Sequence, residues 1–159
     1  MTHTVHPYSH RLGILRDWKS RWFSPKGKYK THLRGDVLIR EYLEKKLQGF
    51  FVADIEIERS AKALRVILSS SRPGMIIGRQ GDGAELLRKD LKKLLEKHKL
   101  LEEKVDLKLD IKEIKSAESN ASIVAQMVVE ALEKRLPFRR AMKQTLEKVM
   151  ANRDVLGAK

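Results

Sequence analysis

A chain of 159 residues with 42% apolar side chains has room for one compact domain, or two small ones, around a real core. Its 34 Lys and Arg against 21 Asp and Glu leave a net charge of +13, which calls for a polyanionic partner. The lack of cysteine excludes disulfides, thiolate zinc sites and thiol nucleophiles, and no apolar run approaches the roughly 18 residues of a membrane-spanning helix.

The charge leads from the amino-terminal end, where residues 1–50 carry eleven Lys/Arg and four Asp/Glu. Residues 1–35 show no sustained period and contain Pro7, Gly13, Pro25 and Gly27, with Trp18, Trp22, Phe23 and Tyr29 set among cations. They are expected to form an irregular basic arm, because cations beside aromatic rings suit phosphate pairing and base stacking. The bland alternative folds the Trp side chains back on the core. Three His and a Pro before Arg11 do not read as a signal peptide, so the chain is expected to be soluble and cytoplasmic.

Asp36 is expected to cap a helix running to about Gln48, with Val37, Ile39 or Arg40, Leu43 and Leu47 near helical spacing and Gly49 as its stop. Asp54–Glu58 and Leu64–Ser69 alternate as two strands. A short apolar helix at Met75–Ile77 precedes Gly78-Arg79-Gln80-Gly81, and Ala84, Leu87, Leu91, Leu94 and Leu95 then mark an amphipathic helix ending near His98. Lys104–Lys112 is the clearest strand, Ala117–Leu132 a long helix, and Pro137 opens another that carries Met142, Leu146 and Val149 on one side.

A lone Gly-x-x-Gly means little. Between two helices, and with a strand on each side, it sits where a KH domain clamps phosphate: two residues without a Cβ let backbone N–H groups approach, and the following helix presents its positive end. Arg79 adds a charge inside the loop, while Ile76 and Ile77 are assigned to the core in preference to a base-binding groove. Replacing both Gly78 and Gly81 with Asp is expected to weaken RNA binding and leave the fold intact. A second cluster, Arg135, Arg139, Arg140 and Lys143, forms a cation stripe on one helix if Pro137 does not interrupt it. Candidate RNA contacts are therefore Arg11, Lys19, Arg21 and Trp22 in the arm, Arg72, Gly78, Arg79, Gln80 and Gly81 around the loop, and the second cluster. His3, His6 and His10 lack a carboxylate or Cys at ligand spacing, so no metal or cofactor is expected. No Walker-type loop, His-Glu-x-x-His element or nucleophile elbow is present, which points to a binder and not an enzyme.

Val5-His6-Pro7, Arg11-Leu12-Gly13-Ile14, Trp18, Ser20, Trp22-Phe23, Ile57-Glu58-Arg59, Arg72-Pro73-Gly74, Ile77-Gly78, Gly81 and Phe138–Lys143 together make the chain resemble the small-subunit ribosomal protein S-three family over nearly its whole length. The resemblance implies an α+β fold: a type II KH domain over residues 36–115, with helix-strand-strand-helix-helix-strand order and a three-stranded sheet covered on one face. The basic arm precedes it and a two-helix extension, 116–159, follows. The resemblance also implies ribosomal RNA as partner in the head of the small subunit, with proteins ten and fourteen as neighbours. Arg139, Arg140 and Lys143 would then touch mRNA in the channel through which it enters. The family continues into a second α/β domain that is missing here, so the chain is expected to be either a fragment or a protein encoded short or split. A free-standing KH RNA chaperone is the alternative within RNA binding, and an RNA-processing enzyme the alternative outside it.

Overall fold

The structure, a computed structural model, describes residues 5–60, 62–100 and 105–158. In chain order these form helix α1 (Pro7–His10), strand β1 (Ser20–Arg21), helix α2 (Lys26–Lys46) and strands β2 (Val52–Arg59) and β3 (Ala63–Ser70). Helix α3 (Pro73–Ile77), a single 3-10 turn (Arg79–Gly81), helix α4 (Asp82–Lys97), strand β4 (Asp106–Glu113), helix α5 (Ala121–Glu133) and helix α6 (Phe138–Met150) complete the order. From α2 to β4 this is the helix-strand-strand-helix-helix-strand order of a type II KH domain.

β2 and β3 pair antiparallel, and β3 pairs parallel with β4 from Ala63↔Asp106 to Ser70↔Glu113. A parallel pair cannot be closed by a tight turn, so the chain between β3 and β4 crosses over as α3 and α4. The period-2 pattern turns Ile55, Ile57, Leu64, Val66, Leu68 and Leu107 to one face of the sheet. There they meet Ile39, Leu43 and Leu47 from α2, Ile76 from α3 and Leu87, Leu91 and Leu95 from α4, all buried. Each such side chain contributes about 1.5–3 kcal/mol by leaving water. Ile76 therefore belongs to the core as expected, whereas Ile77, assigned to the core as well, is exposed.

Three expectations are corrected. The sheet has four strands, in the order β1-β2-β3-β4, because the arm adds Ser20 and Arg21 alongside Ile57 and Glu58 of β2. The arm is thus not irregular throughout. Helix α2 begins at Lys26 with Pro25 as its N-cap residue, ten residues before Asp36, and so runs through the expected boundary at position 35. Asp36 is no cap: it is 3% exposed, in mid-helix, and accepts hydrogen bonds from Trp22 and Arg59. Of the residues near helical spacing, Ile39, Leu43 and Leu47 are buried and Val37 is exposed.

Gly27 and Gly35 weaken the local helix signal, since each glycine costs a helix about 1 kcal/mol. At Gly35 a Cβ would lie 2.9 Å from an Arg59 guanidinium nitrogen, so a larger residue there would push on the side chain that pairs with Asp36. The third correction concerns the second basic cluster. α5 ends at Glu133, Arg135 is left-handed at φ 60, and Pro137 starts α6, so Arg135 shares no helix with Arg139 and Lys143. The expected start of β4 at Lys104 falls outside the described residues.

Candidate nucleic-acid interface

The loop between α3 and α4 is built on left-handed backbone. Gly78 (φ 74) closes α3 by donating its N–H to Gly74 O at 3.0 Å, Gln80 follows at φ 55, and Gly81 (φ 91) is the N-cap of α4. Conformations with φ above zero cost an ordinary L residue about 1–2 kcal/mol, which explains the two glycines and leaves Gln80 as the strained position. α4 has no side-chain cap, and the first of its amides, the Asp82 N–H, donates to Arg79 O within the 3-10 turn. Arg79 and Gln80 are both exposed at the tip.

A third glycine, not singled out in the sequence, sets how closely the helices meet. A Cβ on Gly83 would lie 2.6 Å from Ile76 O and 3.0 Å from Ile77 O, and one on Gly78 would lie 3.0 Å from Gly83 N. Substitution at Gly78 therefore forces backbone against backbone and cannot leave the fold untouched as expected. Gly81 has open space where a Cβ would go, so only its φ resists substitution. Asp82 and Glu85 occupy the first turn of α4 and offset part of its positive end.

The other candidates fall into two groups. Lys19 pairs with Asp54 at 2.7 Å, and the Arg21 guanidinium reaches Glu56, Glu58 and Asp17 at 2.6–2.8 Å. Hydrogen bonds to Glu58, then Glu56 and Asp17, stabilise the Arg21 cation further and raise its pKa. Trp22 turns inward: its Nε1–H donates to Asp36 Oδ2 at 2.7 Å, and its ring packs against Tyr29 and His32 with centroids 5.4 and 5.6 Å away. These three side chains bind the arm to the KH domain.

Arg11, Arg72, Arg79, Arg135, Arg139 and Arg140 make no ion pair within 4.0 Å among the described residues, and all are exposed. Arg11 donates to Pro7 O, and Arg72 lies 4.3 Å over the ring of Phe51. On α6, Arg139 and Lys143 stand one turn apart, with Lys143 at 4.0 Å from Glu147. That exposed pair is worth little. Arg16 was missed in the sequence; it is exposed, 5.5 Å over the Tyr8 ring, and shares the arm surface with Trp18, 54% exposed. Its signal was present as one more cation beside aromatics in a segment that showed no period.

Among the described residues no group of three or more His, Asp or Glu could hold a metal ion, and no helix is long and apolar enough to cross a membrane.

Comparison with known proteins agrees with this geometry. The KH domain family pattern matches residues 38–119, just over half of the chain. The chain is 43% identical to the small ribosomal subunit protein uS3 of Caldicellulosiruptor bescii, over 94% of this chain and 64% of that protein. Identity is 39% to uS3 of Clostridium perfringens, again over 94% and 64%, and 39% to uS3 of Xanthomonas oryzae over 94% and 58%. The chain thus spans less than two thirds of the length of these relatives. By pattern and by element order it belongs to the KH domain family, and it is similar along nearly all of its length to the amino-terminal KH portion of uS3.

Proposed function

We propose that the protein is an RNA-binding constituent of the small ribosomal subunit, acting as a binder and not as an enzyme. The observation that carries this reading is the left-handed Gly78–Gly81 loop. It sits between two helices that are held close by Gly83, in a chain similar to uS3 over 94% of its length. The loop would receive a backbone phosphate of ribosomal RNA on its amide groups, with Arg79 adding a charge-assisted contact. Arg11 in the arm and Arg72 would supply further phosphate contacts. Its place would be the head of the subunit in cytoplasmic ribosomes, beside other head proteins.

At the finer level, Arg139, Arg140 and Lys143 on α6 would line the channel through which mRNA enters, and Arg135 would lie beside them on the α5–α6 link. The division into arm, KH domain and helical extension is proposed on the same basis, with α2 joining the first two.

The decisive experiment replaces the two loop residues that have room to change. Arg79→Asp with Gln80→Asp places negative charge at the tip, and Asp tolerates the left-handed φ of position 80. RNA affinity should fall at least about tenfold, with a circular dichroism spectrum like that of the parent. Unchanged affinity would remove the loop from the interface. Sucrose-gradient sedimentation separates the ribosomal reading from a free-standing RNA chaperone, which would remain mainly outside the subunits. Arg139→Ala with Arg140→Ala should slow reading through structured mRNA more than it impairs subunit assembly.

A further inference from the structure

We propose that the protein bridges two separate RNA segments, one held at each edge of its sheet. This rests on the RNA-binding reading above and adds to it a second contact surface that is independent of the KH loop. The strand order places β1 at one edge and β4 at the other. Helices α3 and α4, with the Gly78–Gly81 loop between them, pack against β4. The arm joins the opposite edge, pairing Ser20 and Arg21 with Ile57 and Glu58 and placing Lys19 O 2.9 Å from the Ile57 amide. Three inter-strand spacings, about 14 Å, separate the outer strands.

The arm carries what an RNA surface needs. Gly13 (φ 80) lets the chain turn back so that its N–H reaches Arg16 O at 2.9 Å, and this turn brings Arg11 and Arg16 together. Both are exposed, and neither has a carboxylate partner among the described residues. The exposed Trp18 provides a ring face for stacking, while the half-buried Tyr8 ring carries Arg16 and Lys19 over it.

Asp54, Glu56 and Glu58 on β2 would by themselves repel a phosphate chain from this edge. Lys19 pairs with Asp54, and Arg21 with Glu56, Glu58 and Asp17, so two cations at this edge offset part of the charge of four carboxylates. Arg11 and Arg16 stand outside these pairs among the described residues and face solvent at this edge. Trp22, bonded to Asp36, which is itself paired with Arg59, holds this patch at a fixed position relative to the KH loop. Two rigidly spaced contacts on opposite edges bring together RNA segments that are distant in sequence, a task distinct from gripping one strand.

The test uses the full chain carrying Arg135→Ala, Arg139→Ala, Arg140→Ala and Lys143→Ala, so that the candidate contacts of the helical extension are removed and the two edges remain. A short single-stranded RNA is tethered to a surface, and a dye-labelled copy is supplied in solution at near-physiological salt. The protein should recruit the labelled copy, with recruitment rising and then falling as protein exceeds RNA. Arg11→Ala with Arg16→Ala, and Arg79→Asp with Gln80→Asp, should each cut recruitment at least about tenfold while one RNA still binds. Lys45→Ala with Arg153→Ala removes as much charge as the arm variant, at positions elsewhere, and should leave recruitment unchanged. One RNA per protein with no recruitment would overturn the bridge and leave the RNA-binding reading standing. Recruitment that survives both edge variants, or that is lost in the Lys45 and Arg153 control, would overturn it as well. No RNA bound at all would overturn both.

Discussion

Asp36 and Arg59 form an ion pair inside the protein, with Arg59 Nη2 2.6 Å from Asp36 Oδ1 and the two side chains only 4% and 10% exposed. The second carboxylate oxygen takes the Trp22 indole N–H, so one buried acid ties together the arm, α2 and β2. Arg59→Met should destabilise the protein by about 3–5 kcal/mol, because it strands a buried carboxylate. Trp22→Phe removes one hydrogen bond to a charged group and should cost about 1.5–3 kcal/mol. Chemical denaturation measures both, and hydrogen exchange at the Ile57 amide shows whether the arm has come away.

Gly83→Ala should be the most damaging of the loop-region glycine substitutions. Its Cβ would press on the carbonyl oxygens of Ile76 and Ile77, which belong to backbone and cannot swing aside. A loss of about 1–3 kcal/mol is expected, with Gly81→Ala costing less because only its φ is strained. Equal midpoints in urea for the two variants would contradict this ranking.

Asp82 and Glu85 weaken the attraction of the α4 amino terminus for phosphate. Asp82→Asn or Glu85→Gln should therefore raise RNA affinity by about two- to fivefold, the effect of 0.3–1 kcal/mol at a helix end. The gain should shrink as salt is raised. Fluorescence anisotropy at two salt concentrations checks both statements.

Stability should be level around neutral pH and fall in acid. A hydrogen bond from the Lys46 ammonium holds Asp90 below the usual carboxylate range, with the Tyr42 hydroxyl adding to it. The Trp18 backbone N–H and then Arg21 do the same for Asp17, and Lys134 for Glu130. A carboxyl whose folded pKa is depressed contributes stability above its unfolded value, and that contribution is lost as pH falls through the folded pKa. The loss should begin below about pH 4, and Asp90→Asn should make the acid limb shallower because it removes, already at pH 7, the contribution that the parent loses in acid. Thermal melts across pH 2–7, as an approximate range, measure it.

Much of the KH portion was legible because its elements are periodic. Leu87, Leu91 and Leu95 announce α4, and the alternation through Ile55, Ile57, Leu64, Val66 and Leu68 announces β2 and β3. The glycine loop was legible through its setting between those elements. The start of α2 was not, since Asp36 looks like a helix cap and Gly27 and Gly35 look like breakers. Gly83 was hidden because a glycine in the first turn of a helix carries no signal of what lies across from it.

The sequence by itself determined the net charge of +13, the absence of thiol chemistry, the order of elements from α2 to β4 and the resemblance to a ribosomal protein family. These depend on composition, period and local spacing, which neighbouring residues fix among themselves. Only the tertiary structure decided which cations are spent on protein carboxylates and which remain open. Lys19 and Arg21 find their partners on β2, more than thirty positions along the chain, while Arg11 and Arg16 find no carboxylate among the described residues. Pairing of that kind depends on which strand lies beside which, and a charge pattern read along one chain does not contain it.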